Sequence, residues 1–314
     1  MKRKVLYGVV VAVLVIALAA CGSSSNTKTN VHRKSEAGEK NAGASKPPIT
    51  IGDKNFTEEY ILGSLYQQAL QARGFHVALK GNIGSSEITY KALTSGQIQM
   101  YPEYTGVIVT ALAGNSKPPH SASQTYSEAQ AYVQKHGFTL LKPTPFYDTD
   151  AMGTLKSFAS KHNLHTISDL KQFGHSLKLG GAPEFATRYE GLVGLKKVYG
   201  INPTFKPLAI GLTYKALDSK QVQVSDVFTT DPQLTTGKYT VLSDPKNVFG
   251  FQNVAPIVKK SVIKAEGPVF AQTLNKVSAL LTLDAIRKMN AAVALDQQSP
   301  AAVARKFLEA NHLG

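Results

Sequence analysis

The sequence is short of sulfur. Its only cysteine is Cys21, so no disulfide forms within the chain and the folded part must be held by its own cores. It is also short of charge. Charged residues at 18% argue against a disordered polyelectrolyte, and 43% hydrophobic content over 314 residues is enough for one large core or two ordinary ones, with two domains the better fit. Its longest apolar run, VVVAVLVIALAA, falls short of the roughly 20 residues a comfortable membrane span requires. Catalytic signatures are missing as well: no G-x-S-x-G elbow, no H-E-x-x-H, no G-x-x-x-x-G-K-[ST] and no free cysteine for a nucleophile. His76, His120, His136, His162, His165 and His175 are scattered without ligand spacing, so no metal is expected. Glu58 and Glu59 could do acid/base work, but they stand at a helix start, where carboxylates are favoured by unpaired N–H groups. A binding protein without cofactor is the better reading than an enzyme.

The formal charge of +14 invites a nucleic-acid reading. Three of the basic residues lie in the first four positions, and residues 22–48 carry five basic against two acidic side chains, leaving about +8 on the rest. Those lysines and arginines are dispersed, with no dense run and no basic–aromatic interleaving, which excludes a stacking groove for nucleic acid.

Lys2, Arg3 and Lys4 followed by the apolar stretch make residues 1–20 a targeting segment. Leu18-Ala19-Ala20-Cys21 resembles the lipobox of a bacterial lipoprotein signal, which implies cleavage before Cys21 and lipid on its thiol. An uncleaved N-terminal anchor is the alternative, and either places the domains outside the cytoplasmic membrane. Residues 21–48 lack an apolar period and read as a lipidated cysteine and flexible tether ending at Pro47-Pro48.

Beyond the tether the pattern alternates. ITIGD and FHVALKG read as strands around the helix NFTEEYILGSLYQQALQARG, in which Ile61, Leu65, Ala69 and Ala72 share a face. Ser85 or Ser86 can cap the helix EITYKALTSG, and QIQMY follows as a strand. A second such succession runs from TISDLKQFG through LKLGGA and FKPLAIG. Within these units YKALTSGQIQMYPEYT, from Tyr90 to Thr105, returns as YKALDSKQVQVSDVFT, from Tyr214 to Thr229. The pair predicts equivalent helix–loop–strand segments in two α/β lobes with mainly parallel sheets. Ligands of such sheets settle beyond the strands' carboxyl ends, where the two copies leave Tyr104 and Phe228 for one shared cleft.

IGDKNFTEEYILGSLYQQAL, NIGSSEITYKALTSGQIQMYPEYTG, LHTISDLKQF, GAPEFATRYEGLVGLKKVYG, YKALDSKQVQVSDVFTTD and NVAPIV together resemble the substrate-binding proteins of ABC importers for quaternary-amine osmoprotectants. The resemblance covers residues 49–314 and implies a two-lobe, type II periplasmic-binding-protein-like fold. Its first lobe is residues 49–147 completed by 246–314, and its second is 148–245. It also implies a monomer that passes glycine betaine, choline or carnitine to a membrane permease driven by cytoplasmic ATPases.

Carried over position by position, the family's cage tyrosines fall on Tyr104, which is retained, on Asp150 and near Gln252, where they are replaced, and an aromatic falls on Phe228. The arginine that clamps a ligand carboxylate in some members falls on Arg188. Lys54, Asn55, Ser85 and Ser86 are further polar candidates, with turn formation and capping as their competing roles; Tyr101 and Tyr147 stand as replacement faces or as structural residues. A quaternary ammonium has no N–H to donate and is held by aromatic faces. Asp150 would add Coulomb attraction, whereas a buried Gln252 suggests a ligand with a hydrogen-bonding group. A receptor for a different small polar or aromatic metabolite therefore stands beside the osmoprotectant reading. An extracellular enzyme or an adhesive surface protein is the more distant alternative.

Overall fold

A computed structural model describes residues 41–314; the targeting segment, Cys21 and most of the tether lie outside the described residues. The chain is already docked before the tether's expected end at residue 48. The Gly43 N–H donates to the Arg73 carbonyl (3.0 Å) and Lys46 Nζ to the Ala265 carbonyl (2.9 Å). Gly43 is needed there because a side chain would run into the backbone of Phe75.

Among the described residues ten strands form two five-stranded sheets. The first holds β1 (Ile49–Gly52), β2 (Val77–Lys80), β3 (Met100–Tyr104), β4 (Phe138–Leu140) and β10 (Val254–Lys259), in the order β2-β1-β3-β10-β4. The second holds β5 (Asp150–Leu155), β6 (Lys178–Gly181), β7 (Thr204–Pro207), β8 (Val224–Phe228) and β9 (Tyr239–Leu242), in the order β7-β6-β8-β5-β9. The two orders are the same pattern, with β3 and β8 at equivalent places. The duplicated segments thus supply the third strand of each sheet, each preceded by its helix: α2 (Ser86–Thr94) before β3 and α3 (Thr213–Asp218) before β8.

The sheets are mixed, not mainly parallel as the alternation suggested. β10 runs antiparallel to β3 and β4, and β5 runs antiparallel to β8 and β9. These two reversed strands follow the passages between the sheets, at residues 147–149 and 251–253. There Tyr147 bridges Asn253 and the Asp148 N–H donates to the Gln252 carbonyl (3.0 Å). A chain that crosses from one sheet to another enters from the cleft side, so its first strand must point away from the cleft.

Helix α1 (Thr57–Gln71) is the pivot of the first lobe's core. Ile61, Leu65, Tyr66 and Ala69 are fully buried, packed with Phe270 and Leu274 of α4 (Pro268–Leu280), Ile286 of α5 (Leu283–Ala294) and Val303 and Leu308 of α6 (Pro300–Ala310). The Tyr66 hydroxyl is satisfied by Ser278 Oγ at 2.9 Å. The second lobe has its own core around Met152, Leu170, Leu179, Leu195, Tyr199 and Val224.

The second-lobe segment 183–193 carries Phe185, Arg188 and Glu190 toward the cleft. It folds back on itself so tightly that a Cβ at Gly191 would lie 2.0 Å from the Phe185 carbonyl oxygen. Gly191→Ala is therefore expected to cost about 1–3 kcal/mol, lowering the melting temperature by roughly 3–10 °C. Gly211→Ala, at a position with open space around it, serves as the control. Equal melting temperatures for the two variants would show that this fold-back yields without cost.

Candidate functional site

A cavity of about 50 Å³ lies between the sheets at the ends of β3 and β8, narrower than the molecules such clefts enclose. The alternation of strand side chains sets its lining. Tyr104 closes β3 opposite Val254, and Phe228 closes β8 opposite Asp150. Two residues before Phe228, and so on the same face, stands Asp226.

The aromatic wall is a row of three rings. Phe56, in extended backbone just before α1, stacks against Tyr104 at 6.1 Å and 24° and against Phe228 at 5.8 Å and 13°. Tyr104 and Phe228 are thus brought to one cavity through a residue that sequence reasoning passed over. Tyr104 is fixed from behind: its hydroxyl donates to Glu58 Oε1 (2.8 Å), whose other oxygen accepts from Asn290 Nδ2 (2.8 Å). Glu58 is therefore part of the ring's support. Burial raises its pKa against those hydrogen bonds.

Lys54 is more than a polar contact. Its buried ammonium lies 4.1 Å from the Tyr104 ring centroid and 5.5 Å from that of Phe56, and it is held by Glu103 (2.5 Å), Ser86 Oγ (3.3 Å) and Glu59 (3.7 Å). One face of Tyr104 already carries the protein's own cation. Ser85 occupies the position before α2 but caps nothing; its hydroxyl donates to Glu87 Oε2 (2.7 Å). Asn55 is exposed at the cavity's edge. Tyr101 is fully buried with its hydroxyl on Glu103, and Tyr147 is half exposed; neither lines the cavity.

Arg188 lines the cavity, yet its fork grips a carboxylate of the other lobe: Nε and Nη2 donate to the two oxygens of Glu87 at 2.9 and 2.8 Å. Burial of Glu87 acts upward on its pKa, but these bonds and the Arg188 charge hold it down at about 2. Gln252 is buried with its amide in use, Oε1 accepting from the Val107 N–H (3.0 Å) and the side chain packed on Gly106. Its carbonyl end thus has a partner at the start of a short helix, while the residue still lines the cavity.

The second lobe's contribution is acidic. Burial raises Asp150 to about 6 against the pull of Arg188, and burial with the neighbouring Asp150 charge raises Asp226 well above the usual carboxylate range. Glu190 is held up to about 7, again by burial and again against Arg188. Asp226 Oδ1 and both Glu190 oxygens have no hydrogen-bond partner; the nearby Thr110 hydroxyl donates instead to the Gly106 carbonyl. Asp226 was legible from the strand's period of two, since it shares a face with Phe228. Phe56 was legible from the rule that singled out Tyr104, since it follows the carboxyl end of β1. Glu190 had no signal, because its placement depends on the fold-back at Gly191. Among the described residues no group of three or more side chains is arranged to hold a metal.

Two lobes of matching topology around a walled cleft are the arrangement of a solute-binding protein. Residues 47–310 match the family model described as the substrate binding domain of ABC-type glycine betaine transport systems, and the chain belongs to that family. It is 32% identical over 277 residues to the glycine-betaine-binding protein of Pseudomonas aeruginosa, covering 84% of this chain and 88% of that one. It is 28% identical to the ergothioneine transport permease/ergothioneine binding protein EgtU of Helicobacter pylori, over 83% of this chain and 47% of that longer one. A solved structure of a glycine betaine/carnitine/choline ABC transporter protein aligns at a TM-score of 0.68 and 25% identity, over 84% of this chain and 99% of that one. The protein is a binding component of an ABC importer, not an enzyme.

The raised acids have a cost for the ligand-free fold. A carboxyl whose pKa is higher folded than unfolded loses its proton more readily on unfolding, so its contribution to stability falls as pH rises from about 4 through the folded value. Asp226→Asn, which cannot ionise, is expected to raise the ligand-free melting temperature by about 2–6 °C near pH 7.5 and by much less near pH 4. A gain that does not change with pH would count against a charge effect.

Proposed function

We propose that this protein captures a small quaternary-ammonium compound in the interlobe cleft, of the glycine betaine, carnitine or choline kind, and delivers it as a monomer to a permease with cytoplasmic ATPase subunits. The observation that carries the reading is the stacked row in which Phe56 joins Tyr104 of one lobe to Phe228 of the other, facing a wall of carboxylates. A cation without N–H groups gains from ring faces and from negative charge, and both are present. The lobes are assigned as residues 49–147 with 246–314 and residues 148–245, in a type II arrangement, a reading supported by the matching strand orders. Asp150 and Arg188 stand in this proposal as the charged residues of the wall, and Lys54, Asn55, Ser85, Ser86 and Gln252 as its polar border.

Titration calorimetry of the full chain against glycine betaine, choline, carnitine and ergothioneine tests this. Tyr104→Ala, Phe56→Ala and Phe228→Ala are each expected to weaken the ligand that binds by roughly 5- to 150-fold, with native circular dichroism retained. Ergothioneine represents the second reading, a metabolite with a heterocyclic end. What favours that reading is the acidic group at Asp150, which offers acceptors to more than a bare ammonium. If none of the four ligands binds, the proposed ligand class is wrong.

We further assign the anchor to lipid on Cys21, on the strength of Leu18-Ala19-Ala20-Cys21. Cys21→Ser is expected to release the protein from membranes or leave it unprocessed. A wild type whose intact mass shows no added lipid would end this assignment.

A further inference from the structure

We propose that the second-lobe wall of the cleft receives hydrogen-bond donors, so that the ligand carries an O–H or N–H group in addition to its quaternary nitrogen and places it on Asp226 and Glu190. The proposal rests on the quaternary-ammonium reading above and specifies the other end of the molecule.

The first argument is the state of the acceptors. Asp226 is 4% exposed and Glu190 1% exposed, both line the cavity, and three of their four oxygens have no hydrogen-bond partner. A buried carboxylate oxygen without a donor loses its hydration and gains nothing in return, which is why such groups are rare. A ligand donor arriving in the cavity would supply what is missing.

The second argument is the state of the cations. A ligand that ends in a carboxylate needs a free positive group, and the cavity has two candidates. Lys54 is held by Glu103 and Glu59, and Arg188 gives two of its five N–H groups to Glu87. A ligand carboxylate directed at this wall would have to share Arg188 with Glu87, against the charge Asp150 carries at neutral pH. A hydroxyl or an amine would be drawn to Asp226 and Glu190 instead.

Calorimetry of the full chain with four probes separates the possibilities. Tetramethylammonium reports the cage alone, choline adds an O–H, aminoethyl trimethylammonium adds an N–H, and glycine betaine adds a carboxylate. The expected result is that choline or aminoethyl trimethylammonium binds at least about 10-fold more tightly than glycine betaine, the better of the two showing which donor the wall reads. Asp226→Asn and Glu190→Gln should each shrink that ratio toward parity, with circular dichroism confirming the fold. If a variant does not fold, the wild-type ratio decides by itself. Glycine betaine binding as tightly as both donor-bearing probes would overturn the inference while leaving the quaternary-ammonium reading in place. Failure of all four to bind would remove that reading and the inference with it. A retained ratio in folded Asp226→Asn and Glu190→Gln would show that the preference arises elsewhere and would likewise overturn it.

Discussion

Negative charge withdrawn from water is the constraint around which this structure is arranged. Glu58, Glu59, Glu103, Asp148, Glu190 and Asp226 are all buried, and most of them stand on or just behind the cleft. Each carboxylate in such a place must find a cation, find donors or keep its proton. In the first lobe Lys54 faces Glu103 and Glu59, and the Tyr104 hydroxyl with Asn290 holds Glu58, yet burial still raises both Glu58 and Glu59. The second lobe has only Arg188, which also answers Glu87 across the cleft, so its carboxyls hold protons to unusually high pH. Buried acid outweighs positive charge around the whole cleft, most of all on its second-lobe wall, and that suits a cationic guest.

The duplicated architecture explains how two dissimilar walls come to face each other. Each sheet ends its third strand at the cleft with an aromatic, and each places a reversed strand beside it that enters from the cleft. In the first sheet the partner of Tyr104 is the apolar Val254; in the second the partner of Phe228 is Asp150. The same topological position thus carries a hydrocarbon in one lobe and a carboxyl in the other. Similar backbone, filled differently, yields an aromatic side and an acidic side.

Much of this was legible in the sequence, and the gaps have physical causes. The repeat announced equivalent strands, and the position of Tyr104 and Phe228 at their ends followed from where ligands meet such sheets. Alternation of strands and helices did not disclose that β5 and β10 are reversed, because direction depends on how the chain passes between sheets and not on local pattern. Resemblance placed Arg188 and Gln252 at the cavity but not their partners. Glu87 lies 101 residues from Arg188, and the Val107 N–H lies 145 residues from Gln252; pairings at such separations leave no periodic trace. Phe56 was hidden by a stronger local signal, the acidic helix start that follows it.

Lobe closure and charge balance are coupled by these contacts. Across the cleft the lobes share the Phe56–Phe228 stack, the Glu87–Arg188 pair, and the bonds of Asn290 to the Thr230 carbonyl and of Arg287 to the Thr229 carbonyl. These favour contact between the lobes without any ligand. Against them stands the desolvation of Asp150, Asp226 and Glu190, which deepens as water leaves the cleft. A ligand can shift the balance only by its differential affinity for the two arrangements. A neutral guest of the right shape would add dispersion contacts but leave the acids unpaired. A cation removes that penalty in the closed arrangement alone, since in an open cleft water already solvates the same carboxyls. In an equilibrium between open and closed lobes, the charge of such a guest would favour closure and selectivity from one electrostatic source.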